Sequence, residues 1–166
     1  MPTTPPRPGT RPSPDAHDIG SFLPYLLTRA AEATSLDFAH EYKARHGLLR
    51  TEWRVLFHLG QRGPITASEI VASAGLHKTK VSRAVAKLEA GGFLVRSADP
   101  DDRRRAVIGL SRAGRALYDD LAGRAAAFDA KLAERLSGDE WTVLVGCLRK
   151  LTGPCPPAPE RSSGGS

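Results

Sequence analysis

Apolar residues recur at helical intervals over most of this chain and form strand-like runs only near its middle. Phe22, Leu26, Ala30, Ala33, Leu36 and His40 fall near one line, and Leu23, Leu27, Phe38 and Tyr42 widen it. The spacing predicts an amphipathic helix over 18–45. Pro24 is tolerated only in a first turn, so the helix is expected to begin near Ser21 and to stop at Gly47. A second helix over 51–61 is expected, capped by Thr51, filled by Trp53, Leu56, Phe57 and Leu59, and ended by Gly63-Pro64. Thr66-Ala-Ser-Glu69 has the form of a capping box and predicts a short helix through Ser73. Gly75 then turns the chain into a helix over 77–90, closed by Gly91-Gly92. Two short helices across a glycine turn make a helix-turn-helix pattern.

The period changes next. Runs at 93–96 and 106–110 read as strands, separated by the polar stretch 97–105. A β-hairpin directly after a helix-turn-helix is a wing. Ser111 caps a long helix over 112–136 with Leu117, Leu121, Phe128, Leu132 and Leu136 along one side. Ser137-Gly-Asp-Glu140 is a second capping box, opening a last helix with Trp141, Leu144, Val145, Leu148 and Leu151. The expected class is mainly α with a small β-hairpin wing (α+β), a winged helix-turn-helix lobe with long helices at both ends.

Composition divides the chain. Residues 1–16 and 153–166 are rich in Pro, or in Pro, Gly and Ser, and read as disordered tails around a domain at 17–152. Within it, 51–110 reads as the DNA-binding lobe, and 17–48 and 112–152 as dimerisation helices. The winged lobe cannot cover all of Phe22, Leu26, Leu132, Leu136, Trp141, Leu144 and Leu148. A homodimer would bury them, unless the helices fold back on their own domain. No signal-like or membrane-length apolar run is present, so the expected location is the cytoplasm.

Lys and Arg number 24 against 18 Asp and Glu, a formal charge of +6. Placement matters more than the total. Residues 77–87 hold Lys78, Lys80, Arg83 and Lys87 and no acid, while Val81, Val85 and Leu88 mark a buried face. A helix of this kind fits the major groove, where Lys and Arg donate to guanine edges or phosphates, and Thr79 and Ser82 to either. A solvated basic face is the plainer reading of that helix alone. The preceding capped helix could bring Thr66 and its N-terminus to a phosphate. Arg103, Arg104 and Arg105, partly balanced by Asp99, Asp101 and Asp102, would sit at the hairpin tip, suited to a minor groove or a phosphate.

The ordered set Thr51-Glu52-Trp53, Gly63-Pro64, Glu69-Ile70, Gly75-Leu76, Lys78-Thr79-Lys80-Val81-Ser82-Arg83, Leu88-Glu89, Gly91-Gly92, Asp99 to Arg104 and Leu110-Ser111 resembles the MarR family of bacterial regulators. The resemblance implies a dimer built from the first helix and the last two, each subunit presenting one winged helix to a pseudo-palindromic duplex. It places the family's Asp-x-Arg wing element on Asp102 and Arg104, the Asp steadying the Arg, with Arg103 or Arg105 reaching phosphates. His77 departs from the small or acidic cap common in the family.

The resemblance also implies a small aromatic effector between the dimer helices and the DNA-binding lobe, with Phe38, Tyr42, His46, Trp53 and His58 as candidates. Aromatic and His residues at such spacing are more often simply core or dimer contacts. No cysteine lies in the first helix for oxidant sensing. Cys147 is expected to be buried and inert, and Cys155 falls in the tail. His40-Glu41 and His46 do not match a metal-ligand spacing, and no catalytic constellation stands out, so no metal, cofactor or enzymatic activity is expected. The function read from the sequence is a ligand-responsive repressor binding double-stranded DNA as a homodimer. A winged-helix protein-interaction module, an activator, and a redox- or metal-responsive member of the same family are the alternatives.

Overall fold

A computed structural model describes residues 18–99, 102 and 104–153. The two terminal segments read as tails lie almost wholly outside these residues. The described elements are α1 (Leu23–His46), α2 (Arg50–Arg62), α3 (Ala67–Ala74), α4 (Lys78–Ala90), β1 (Leu94–Ala98), β2 (Ala106–Leu110), α5 (Arg112–Ala133) and α6 (Gly138–Thr152). The mainly helical class with a two-stranded hairpin is as expected. The chain forms two compact units, Met1–Asp37 and Phe38–Ser166.

In the described part of the first unit, the Ser21 amide donates to the Asp18 carbonyl at 3.0 Å and the chain then enters α1. Pro24 sits in the first turn, where its missing N–H costs nothing. Phe22, Leu23, Leu26 and Leu36 are all exposed.

The second unit is built around α2 and α4. Val55, Leu56 and Leu59 on α2 meet Val81, Ala84, Val85 and Leu88 on α4, with Ile70, Leu94, Ile108, Leu117 and Leu121 closing the core. The α4 set follows the i, i+3, i+4, i+7 stripe that puts four side chains on one face. β1 and β2 pair antiparallel in the register Leu94↔Leu110 to Ala98↔Ala106. Ile65 bridges the far side of β2, its amide donating to the Ile108 carbonyl at 3.0 Å and its carbonyl accepting the Ile108 amide at 2.8 Å. With both edges occupied, Val107, Ile108 and Gly109 are buried in succession.

Several ends differ from expectation. Thr51 is inside α2, which begins with Leu49 at the N-cap. The Leu49 amide donates to the Glu52 carboxylate at 2.8 Å, the return half of a capping box without its hydroxyl. α5 stops at Ala133 rather than 136, because Ser137 already takes the Glu140 amide to start α6. α5 also begins in close contact with the hairpin. The Ser111 amide donates to the Phe93 carbonyl at 2.9 Å, and a Cβ on Gly114 would lie 1.9 Å from that oxygen. Only glycine fits there.

α6 buries no residue. Cys147 on this helix is exposed, which corrects the expectation of a buried thiol. Among the described residues the apolar face that suggested burial is only partly covered, with Leu144, Leu148 and Leu151 exposed.

Candidate nucleic-acid interface

The helix-turn-helix is fixed by local chemistry at each joint. Thr66 donates its hydroxyl and its amide to the Glu69 carboxylate, both at 2.7 Å, and accepts the Glu69 amide at 3.3 Å. Burial alone would raise the Glu69 carboxyl, but the two Thr66 bonds and the nearby Arg105 charge outweigh it and hold the group below its ordinary value. Gly75 turns the chain at φ 59, in the left-handed region. The Arg54 guanidinium of α2 donates to the Ala74 carbonyl, satisfying the end of α3. His77 is the N-cap of α4 and makes no side-chain cap bond.

Thr66 caps α3 as the spacing predicts, but it is buried and its side chain is not open to a phosphate. Lys78, Thr79, Lys80, Ser82 and Arg83 are exposed on α4. Among the described residues, no carboxylate forms an ion pair with Lys78, Lys80, Arg83 or Arg104. Lys87 is engaged. Its ammonium lies 2.9 Å from Glu52 and 3.3 Å from the Gly47 carbonyl.

The wing tip is shaped by Asp102, which accepts the Arg104 backbone amide at 3.0 Å. The carboxylate thus steadies the main chain at Arg104 rather than its guanidinium. The Arg105 amide donates to the Asp102 carbonyl at 2.9 Å, and the Arg105 head is 3.9 Å from Glu69. Arg103 and Asp101 lie outside the described residues. Midway along β1 Arg96 grips Glu89 with two bonds, at 2.5 and 3.0 Å. A cleft of about 310 Å³ opens beside α4, lined by Ala67, Ser68, Val71, Lys78, Val81, Ser82, Val85 and Arg96. Ser68 and Arg96 were not among the sequence candidates. Nothing local marks them, since only the fold brings β1 alongside α3 and α4.

A sequence profile of the MarR family matches residues 46–105, the span holding α2 to the wing. The HTH-type transcriptional regulator YkoM of Bacillus subtilis is 35% identical over 125 residues, covering 75% of this chain and 80% of its own length. The chain belongs to the MarR family. The HTH-type transcriptional repressor NicR of Pseudomonas putida is 24% identical over 135 residues, covering 81% of this chain and 85% of its own. The repressor CouR, solved bound to a 23-mer DNA duplex, superposes with a TM-score of 0.74 at 25% identity, over 82% of this chain and 96% of CouR. This MarR-family chain is accordingly a DNA-binding transcriptional regulator.

The effector candidates divide into a packed aromatic seam and separate polar contacts. In this MarR-family chain Phe38, Tyr42 and Trp53 have ring centroids 5.5 to 6.2 Å apart, and Phe57 and Phe128 extend the seam. His46 pairs with α5, its Nε2 3.1 Å from an Asp120 carboxylate oxygen. That carboxylate is held below its usual range by Arg124 first and His46 second, and Arg124 also reaches Glu41 at 3.3 Å. His58 is half-buried. Burial, then the charges of Arg62 and Arg54, hold its imidazole below the ordinary value. Among the described residues no helix is long and apolar enough to cross a membrane, and no cluster of His, Cys, Asp or Glu could hold a metal ion.

Proposed function

We propose that the chain is a homodimeric repressor that lays α4 in the major groove and the wing on the adjacent minor groove. The observation that carries this reading is the charge left open on α4. Lys78, Lys80 and Arg83 have no ion-pair partner among the described residues, while Arg96, Arg105 and Lys87 nearby each have one. Unpaired cations on an exposed helix face suit phosphates and guanine edges. Thr79 and Ser82 would add donors or acceptors, and Arg104, with Arg103 and Arg105, would reach the minor groove or its rims.

The dimer rests on apolar exposure. Leu36 is 68% exposed, and Val143 and Leu151 on α6 are 64% and 60% exposed. A second copy burying α1 and α6 removes that surface from water. Two copies then present two recognition helices to half-sites about one helical turn apart. Such a dimer across a promoter excludes polymerase, and NicR and CouR are both named repressors.

A small aromatic effector would act at the seam of Phe38, Tyr42 and Trp53, by taking over ring faces that now contact one another. Binding is tested by gel shift of the full chain on random-sequence duplex over a salt series. The expected result is a steep fall of affinity with salt. Affinity indifferent to salt, or unchanged in both Arg83→Ala and Arg104→Ala, overturns the reading. Salicylate serves as the effector probe. Quenching of Trp53 in a Trp141→Phe background, together with weaker duplex binding, supports the seam. Weaker binding with unchanged Trp53 emission places the effector elsewhere.

A further inference from the structure

Lys87 stands apart from the other cations of α4. Its ammonium meets Glu52, whose side chain is 3% exposed, and the same Glu52 oxygen accepts the Leu49 amide at 2.8 Å. Moving Lys87 to a phosphate would leave a buried carboxylate without its cation, a costly state. The Gly47 carbonyl at 3.3 Å adds a second anchor on the α1–α2 junction.

The apolar face of α4 sets which side of the helix meets the core, and packing then leaves only a small freedom of roll. A directed, charge-assisted bond at the helix end restricts that remainder. Lys87 and Arg83 are four residues apart, on neighbouring parts of one face. A roll of about 10° shifts a group at the helix surface, about 5–6 Å from the axis, by about 1 Å. That displacement is enough to spoil a bidentate contact to a base.

We propose that Lys87 does not contact DNA and is instead a positioning residue, clamping α4 to Glu52 and the Gly47 carbonyl so that Ser82 and Arg83 meet base edges in register. The inference rests on the DNA-binding reading above. It also gives the α1–α2 junction control over α4. His46, next to Gly47, is tied to Asp120 of α5, so the two helices are held from adjacent residues of one short segment.

The test uses the full chain, a duplex enriched by it from a random-sequence pool, and a mixed-sequence duplex, each over a salt series. Lys87→Met is expected to lose about 5- to 100-fold on the enriched duplex, the range of one misread base pair, while the mixed duplex is bound nearly as before. The slope of log affinity against log salt stays that of the unaltered chain. Lys87→Arg keeps a donor and restores affinity, and Glu52→Gln lowers it as Lys87→Met does, the two losses not adding. A slope lowered by about 1, with equal losses on both duplexes, identifies a phosphate contact and overturns the inference alone. Should Lys87→Met fail to fold, the isosteric Glu52→Gln decides: a fall on the enriched duplex upholds the clamp, and an unchanged or raised affinity overturns it. If the unaltered chain binds neither duplex, the DNA-binding reading fails, and this inference with it.

Discussion

α4 and α6 are helices of similar length with opposite economies of surface. α4 buries Val81, Ala84, Val85 and Leu88 and exposes cations. α6 buries nothing and exposes Val143, Leu144, Leu148 and Leu151. One has a settled core and an open charge, and the other an open apolar face. The contrast teaches what each lacks: α4 suits a polyanion, and α6 suits apolar surface from another copy.

The largest expected effect comes from removing that second requirement. Leu144→Asp with Leu148→Asp should leave a folded monomer by analytical ultracentrifugation. Loss of two-site engagement should weaken duplex binding by about 100-fold or more. A dimer that survives with full affinity breaks the comparison. On the α4 side, Arg83→Ala should cost about 1–3 kcal/mol of operator affinity and relax base preference, read by competition between enriched and mixed duplexes. Its oligomeric state should not move.

Smaller effects sharpen the contrast from below. Thr66→Ala removes the cap of α3, and chemical denaturation should show about 1 kcal/mol lost. Glu69 gives a pH signature. Its folded carboxyl sits below the ordinary 4.5, so it contributes stability above that value and loses it as pH falls through the folded pKa. Thermal melts at falling pH should show a shallower acid decline in Glu69→Gln. No change of slope would mean that the Thr66 bonds do not discriminate between protonation states.

Local chemistry was legible where it is complete within a few residues. The Thr66 and Ser137 boxes and the Gly75 turn each stand where the spacing put them. Long-range partners were not. Lys87 read as one more basic residue on an exposed face, because Glu52 is 35 residues away in the chain. The sequence at Thr66 suits both a cap and a phosphate contact, and the buried hydroxyl of the folded chain serves the first. Ile65 carries no strand pattern of its own, and its bridge to Ile108 exists only because β2 has a free edge. Cys147 looked buried because periodicity shows which face is apolar and not whether the same chain covers it.

The contact between Gly114 and the Phe93 carbonyl leaves no slack at the root of the hairpin. A tilt of α5 must therefore carry the two strands along as a lever carries its handle. In the proposed complex, any adjustment to grooves of different width would fall to the ribbon's far end, where the Asp102 carboxylate and carbonyl accept the Arg104 and Arg105 amides.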